Sequence, residues 1–169
     1  MPVYTLQYVY QLSDFNTSGT LIAPPDESGA KADATPPFDM ALNSGAEAIQ
    51  TTVVDDDALF HEKTDLNQTL ETALTLDGVT YPVGTRIFIN YVVTTDDGLQ
   101  GYGFTLGGNN NGSNAVTGFA TTEPMVGGQI YRFTSNQNIG NTPVAYDAFA
   151  CFTAGTMIKT AKGECRVED

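Results

Sequence analysis

The sequence has few cysteines, and this limits how the fold can be held together. Among 169 residues, only Cys151 and Cys165 are cysteines, and both lie near the end of the chain. Small secreted domains without a large core are commonly stapled by several disulfides. Residues 1–150 contain no cysteine, so we expect them to be held together by a hydrophobic core.

Basic residues and long apolar runs are also scarce. Seven Lys and Arg stand against 20 Asp and Glu, which gives a net charge of −13. Nucleic-acid binding needs a basic surface, so no nucleic-acid partner is expected. No stretch approaches the roughly 18 apolar residues of a membrane span, and residues 1–10 lack the basic leader of a signal peptide. The acidic composition favours an extracellular or cell-surface protein, whose export signal we expect outside this chain.

Motifs for hydrolytic catalysis are missing as well. The chain has no Gly-x-Ser-x-Gly segment, and His61 is its one histidine. We interpret His61 as a surface or turn residue. Paired carboxylates can still meet in a folded structure without leaving a sequence signal. A non-catalytic role is favoured for residues 1–150.

What the sequence does contain is a series of short β-prone runs separated by turn signals. Asp77-Gly78 and Asp96-Asp97-Gly98 each lie between two such runs, as expected for tight hairpins. The pattern predicts an all-β fold, an antiparallel sandwich or barrel of jelly-roll type. Predicted strands cover residues 3–10, 48–54, 69–76, 79–81, 85–94, 101–106, 115–121 and 129–134. Residues 13–45 are predicted to be an irregular excursion with a short strand near residues 20–22.

One acidic segment is a candidate cation site. Asp55, Asp56 and Asp57 are consecutive, and Asp65 and Asn67 follow within a short distance. Calcium prefers such oxygen ligands, so Asp55, Asp57 and Asp65 are candidate ligands for Ca²⁺. The spacing does not match an EF-hand loop, and a solvated acidic turn is the alternative. No other cofactor is required by any motif.

The end of the chain differs from the rest in charge and in pattern. Residues 151–169 contain three basic and three acidic residues, whereas residues 1–150 carry the whole charge of −13. The tail has the pattern Cys-Phe-x-x-Gly-Thr-x-Ile-x-Thr-x-x-Gly-x-x-x-Val-Glu, from Cys151 to Glu168. This pattern resembles the first conserved block of the Hint (hedgehog/intein) family of self-processing domains, in its bacterial intein-like form.

The resemblance implies that residues 1–150 are a passenger domain and that residues 151–169 open a Hint domain. Cys151 would be the nucleophile, because a thiolate directly after a carbonyl can attack it and turn the amide into a thioester. The carbonyl attacked is that of Ala150. Family members also supply a histidine general acid and a much longer β fold, which residues 151–169 lack. We therefore expect this chain to be an inactive truncation of a precursor that cleaves itself.

Two functions remain open for residues 1–150. The first is a non-catalytic secreted or surface module that binds a cell-surface ligand and is released or transferred by chemistry at Ala150. The second is a structural subunit that self-associates by pairing exposed strands, through the N-terminal strand or the apolar residues 145–152.

Overall fold

The β-prone runs form strands in the structure, a computed structural model that describes residues 1–17, 36–62, 65–107, 116–140, 142–149, 157–160 and 163–166. The strands in the first half of the chain are β1 (Val3–Gln11), β2 (Phe15–Thr17), β3 (Phe38–Leu42), β4 (Ile49–Val54), β5 (Leu59–Phe60), β6 (Thr69–Leu70), β7 (Leu74–Leu76) and β8 (Val79–Tyr81). Those in the second half are β9 (Ile87–Thr95), β10 (Gln100–Leu106), β11 (Gly118–Thr121), β12 (Ile130–Asn138), β13 (Val144–Ala145), β14 (Met157–Thr160) and β15 (Gly163–Arg166). Two short 3₁₀ turns cover Leu12–Asp14 and Tyr146–Phe149.

Most of these strands belong to one sheet. Nine of them are hydrogen-bonded in the order β2-β3-β12-β9-β10-β11-β1-β4-β6. The pairs β5–β13, β7–β8 and β14–β15 form three separate two-stranded sheets. Every pairing in the described part of the chain is antiparallel. The predicted antiparallel all-β fold is therefore confirmed, and the arrangement is consistent with a sandwich.

Both predicted hairpin turns are also confirmed. Asp77 and Gly78 join β7 to β8 with φ values of 49° and 77°. A type I′ turn needs positive φ at both central positions, and Asp-Gly meets that need with little strain. Gly98, at φ 97°, closes the turn between β9 and β10, where its amide donates to the carbonyl of Thr95 over 3.1 Å.

Two predictions about strand positions are wrong. Residues 13–45 are predicted to be irregular, yet β2 and β3 pair with each other and β3 also pairs with β12. The strands are short and flank a Pro-rich stretch, so their alternation is easily missed. The single strand predicted over residues 69–76 is divided: β6 pairs with β4, and β7 turns away to pair with β8. The strand expected near residues 20–22 lies outside the described residues.

The central strands are covered on both faces. One core contains Leu6, Val53, Phe60, Ile89, Phe104 and Phe149, and the second contains Tyr10, Phe15, Met40, Tyr91, Phe119 and Phe133. The cross-strand neighbours Tyr102 and Ala120 belong to the first core. The next pair along, Gly103 and Phe119, lies toward the second core, because successive residues of a strand face opposite sides.

Glycine on β10 makes room for the aromatic rings of the second core. A Cβ at Gly103 would lie 2.3 Å from the Cε1 and Cζ atoms of Tyr91, and one at Gly101 would lie 2.0 Å from the Cζ of Phe119. Such distances are far inside van der Waals contact. The two glycines therefore let fully buried rings lie flat against the backbone of β10.

We predict that Gly103→Ala destabilises the fold, because the added methyl group displaces the fully buried Tyr91 ring. Overpacking of this kind costs about 1–3 kcal/mol. The free energy of unfolding in urea measures the effect. Gly45→Ala is the matched control, since its Cβ would have no neighbour within 4 Å. Equal stability of the two variants would contradict this account of the second core.

Candidate functional site

The acidic segment predicted to bind a cation lies at the end of β4. Asp55 directly follows this strand, and its amide donates to the carbonyl of Pro2 over 3.2 Å, next to the start of β1. The chain then turns tightly, because Asp57 Oδ1 accepts from the amide of Leu59 over 2.7 Å. Asp65 Oδ1 likewise accepts from the amide of Asn67 over 2.8 Å. These local bonds are typical of aspartate in turns.

Asp55 differs from its neighbours because it is fully buried. Its Oδ1 accepts from the amide of Asp56 and its Oδ2 from the hydroxyl of Tyr146, each over 2.7 Å. Burial raises the pKa of the Asp55 carboxyl, while the bonds from Tyr146 and Asp56 oppose that rise. Burial, and then the bond to Asp55, raise the pKa of the Tyr146 hydroxyl. Tyr146 therefore stays protonated and keeps donating.

The structure brings the predicted ligands together, but in two groups. Ligand atoms of Asp55, Asp56 and Asp65 all lie within 4.8 Å of one another, and so do those of Asp57, His61 and Asp65. Asp65 is common to both groups, whereas Asp55 and Asp57 belong to different ones. The first group offers oxygen atoms alone, as calcium prefers, and the second adds an imidazole nitrogen, as transition metals prefer.

The predicted ligand set omits two members of this cluster: Asp56, which the sequence places between Asp55 and Asp57, and His61, which is not considered as a ligand. His61 Nε2 lies 3.4 Å from Asp57 Oδ2, and the side chain is 23% exposed. The interpretation of His61 as an isolated surface or turn residue is therefore incomplete. A usable signal was the equal four-residue spacing of Asp57, His61 and Asp65.

A buried glutamine holds His61 in place. Gln68 is fully buried; its Oε1 accepts from the His61 amide over 2.7 Å, and its Nε2 donates to the His61 carbonyl over 3.0 Å. The same Nε2 donates to the carbonyl of Ile87 on β9 over 2.6 Å. Through Gln68, these bonds connect the acidic segment to the central sheet. They also satisfy the buried Gln68 amide, which would destabilise the fold if it had no hydrogen-bond partner.

The exposed members of the cluster line an open cleft of about 490 Å³. Its walls come from Asp56, Asp57, His61, Asp65, Leu66 and Asn67. Asn67 Nδ2 donates to Asp56 Oδ2 over 2.8 Å, which orients that carboxylate. An ion in this cleft would be reached directly from solvent.

The C-terminal turn packs against the same region. Tyr146 stacks on Phe60, with ring centroids 5.1 Å apart, and its amide donates to the carbonyl of Ala58 over 3.1 Å. Phe149 is fully buried, with its ring edge-on to Phe60 and to Tyr102. The chain is thus fixed in the first core up to the residue before Ala150.

The residues predicted to carry the self-processing chemistry, Ala150 and Cys151, lie outside the described residues. Beyond them, the Ile-x-Thr part of the tail pattern, residues 158–160, falls within β14, which pairs with β15 in the register Ile158 opposite Cys165 and Thr160 opposite Gly163. The last positions of the tail pattern, Val167 and Glu168, are likewise outside the described residues.

Comparisons of the chain with protein-family models, curated proteins and solved structures find no match. The Hint resemblance therefore stays a prediction. No helix in the described part of the chain is long and apolar enough to cross a membrane.

We predict that Asp55 makes stability fall as pH rises. Its folded-state pKa lies above the ordinary 3.8, so ionisation favours the unfolded chain and stability is lost as pH rises through the folded pKa. Relative to Asp55→Asn, the wild-type free energy of unfolding should fall with a slope of up to about 1.4 kcal/mol per pH unit in this interval.

Urea denaturation of both proteins from pH 3 upward, on the order of half-unit steps, measures this difference. The exposed Asp147 provides a matched control through Asp147→Asn. A difference between wild type and Asp55→Asn that does not change with pH would contradict the assignment.

Proposed function

We propose that residues 1–150 are a non-catalytic binding module and the N-terminal passenger of a Hint-type self-processing precursor. The observation that carries this proposal is the anchored turn Tyr146–Phe149, which directly precedes Ala150. A processing domain must strain the peptide bond that it cleaves, and a bond is strained only when the chain on each side is held. Phe149 in the first core supplies that hold on the passenger side.

In the proposed reaction, the Cys151 thiolate attacks the carbonyl carbon of Ala150. The bond from that carbon to the Cys151 nitrogen breaks, the nitrogen takes up a proton, and a thioester replaces the amide. Water or another nucleophile then opens the thioester and releases the passenger. A general acid must come from the rest of the precursor, since His61 is engaged beside Asp57 in the acidic cleft.

The second part of the proposal is that the acidic segment binds Ca²⁺. Support comes from the oxygen ligands of Asp55, Asp56 and Asp65, which already lie within 4.8 Å of one another. Each carboxylate oxygen has two lone pairs, so the bonds that Asp55 accepts leave room for a cation. The charge of −13 attracts divalent ions and suits an extracellular or cell-surface setting, which we propose for this module.

We predict that Ca²⁺ raises the melting temperature of the wild-type chain but not that of Asp65→Asn. At a concentration about 100 times the Kd, binding to the folded state alone stabilises by about 2.7 kcal/mol. Asp65→Asn keeps an oxygen to accept from Asn67 while removing the charge shared by both ligand groups.

Calorimetric melting with and without CaCl₂ measures the effect, and Asp96→Asn in the exposed β9–β10 turn is the control. An equal Ca²⁺ response in all three proteins would indicate unspecific screening of negative charge. No response in wild type would remove the calcium proposal.

We predict that a precursor containing the complete downstream Hint domain splits after Ala150, and that Cys151→Ala abolishes this cleavage. Intact mass after expression distinguishes the cut passenger from the uncut chain. Cys165→Ala is the matched control, because it removes the other thiol and should leave cleavage unchanged. Persistence of the uncut wild-type precursor would refute the passenger proposal.

Self-association by strand pairing is the second candidate function. The observation that favours it concerns β1: in the described part of the chain, β11 pairs only with the C-terminal residues of β1, Tyr8 to Gln11. The N-terminal residues of β1 are then available to pair with a strand of another copy. The charge of −13 on each copy opposes it, since like-charged molecules repel.

A further inference from the structure

The N-terminal half of β1 has one unpaired edge in the described part of the chain. Along one side, β1 pairs with β4 from Val3 onward. Along the other side, β11 reaches only as far as Tyr8, opposite Thr121. Thr122 then follows β10, where its amide donates to the carbonyl of Gln100 over 3.1 Å. Among the described residues, none pairs with residues 3–7 on that side.

The ladder with β4 determines which backbone groups face this open edge. Asp55 donates to the carbonyl of Pro2, directly opposite it, so this pair is a hydrogen-bonded one. Hydrogen-bonded and non-hydrogen-bonded pairs alternate in an antiparallel ladder. Val3, opposite Val54, and Thr5, opposite Thr52, are then non-hydrogen-bonded pairs. Their N–H and C=O groups point away from β4, and an edge of this kind is a template for another strand.

An apolar groove of about 460 Å³ lies beside this edge. Its lining comes from two parts of the chain: β1 contributes Val3, Tyr4 and Thr5, and other lining residues include Leu59, Tyr146 and Asp147. Tyr4 and Tyr146, which both line the groove, stack in direct contact with ring centroids 4.3 Å apart. Val3 is 47% exposed and Leu59 is 37% exposed, so the groove presents apolar side chains to solvent next to free backbone groups.

We propose that this groove, termed the β1 groove, binds an extended basic peptide of a partner protein as an added strand next to Val3 and Thr5. Backbone hydrogen bonds supply the binding, and apolar side chains at alternate positions of the peptide pack on Leu59 and Tyr146. The remaining side chains of the peptide carry positive charge.

The charge of the surroundings decides the class of occupant. Asp147 is the one charged residue among the described residues that line the β1 groove, and Asp56 and Asp57 directly precede its residue Ala58. A second copy would bring a further charge of −13 to the same place, whereas a basic strand is attracted to it. This inference deepens the proposed binding function by naming its partner class, and it depends neither on Cys151 nor on calcium.

The test uses the whole chain and a synthetic peptide of about eight residues in which Val and Lys alternate, a length typical of a strand. A matched peptide carries Glu in place of Lys. Fluorescence anisotropy measures binding to wild type, Thr5→Pro and Thr5→Val. Proline removes the free N–H of residue 5 without touching the ladder with β4, as is tolerated at sheet edges, and valine keeps that N–H.

We expect Thr5→Pro to weaken binding of the Lys peptide at least tenfold, and Thr5→Val to leave it unchanged. Leu59→Ser should also weaken it, unlike Val83→Ser at an exposed site outside the groove. Raising the ionic strength from about 0.05 M to about 0.5 M should reduce the affinity, because salt screens exposed charges. Hydrogen exchange at the Val3 and Thr5 amides of wild type should slow when the peptide is added.

The opposite results overturn the proposal. One such result is that hydrogen exchange at the Val3 and Thr5 amides does not change when the Lys peptide is added. Another is that wild type binds the Glu peptide as tightly as the Lys peptide. A third is that Thr5→Pro has the melting temperature of wild type and binds the Lys peptide equally well. A concentration-dependent dimer that Thr5→Pro dissolves would assign the β1 groove to a second copy. If both amides already exchange slowly in the monomer without peptide, another part of the same chain occupies the β1 groove. Should Thr5→Pro fail to fold, the exchange measurement on wild type still decides.

Discussion

The hydrogen bond between Tyr146 and Asp55 joins parts of the chain that are 91 residues apart. A carboxyl group that is fully buried needs partners, and Tyr146 together with the Asp56 amide supplies them. The same contact holds the 3₁₀ turn Tyr146–Phe149 against the first core. It therefore links the acidic segment after β4 to a residue that lines the β1 groove and belongs to the turn leading into Ala150.

Burial of the central strands on both faces explains why these features lie where they do. Strands β9, β10 and β11 lie between two aromatic cores. Gly101 and Gly103 have no Cβ atom, which leaves room for the rings of Phe119 and Tyr91. The side chains of these strands are mostly buried and are therefore not accessible to a ligand. Side chains and backbone groups free to meet a ligand are found instead at the ends of strands, after β4 and along the first half of β1.

The high negative charge gives these places a common chemistry. Asp56, Asp57 and Asp65 make the cleft suited to cations, while Asp147 and the surrounding charge favour a basic partner at the β1 groove. Electrostatic attraction acts chiefly on encounter and selectivity, and apolar or backbone contacts provide most of the affinity. In the binding module that we propose, this charge would oppose self-association and would attract positively charged ligands.

The sequence by itself determined the antiparallel all-β class, the Asp77-Gly78 and Asp96-Asp97-Gly98 hairpins and the concentration of carboxylates between Asp55 and Asp65, because strand alternation, turn chemistry and close spacing are local properties. The pattern from Cys151 to Glu168 likewise gave the Hint hypothesis directly. Only the tertiary structure decided that Asp55 is buried under Tyr146, that His61 joins the acidic cluster through Gln68, and that the first half of β1 has no partner strand on one side among the described residues. These depend on contacts between residues far apart in the chain, which local patterns do not encode.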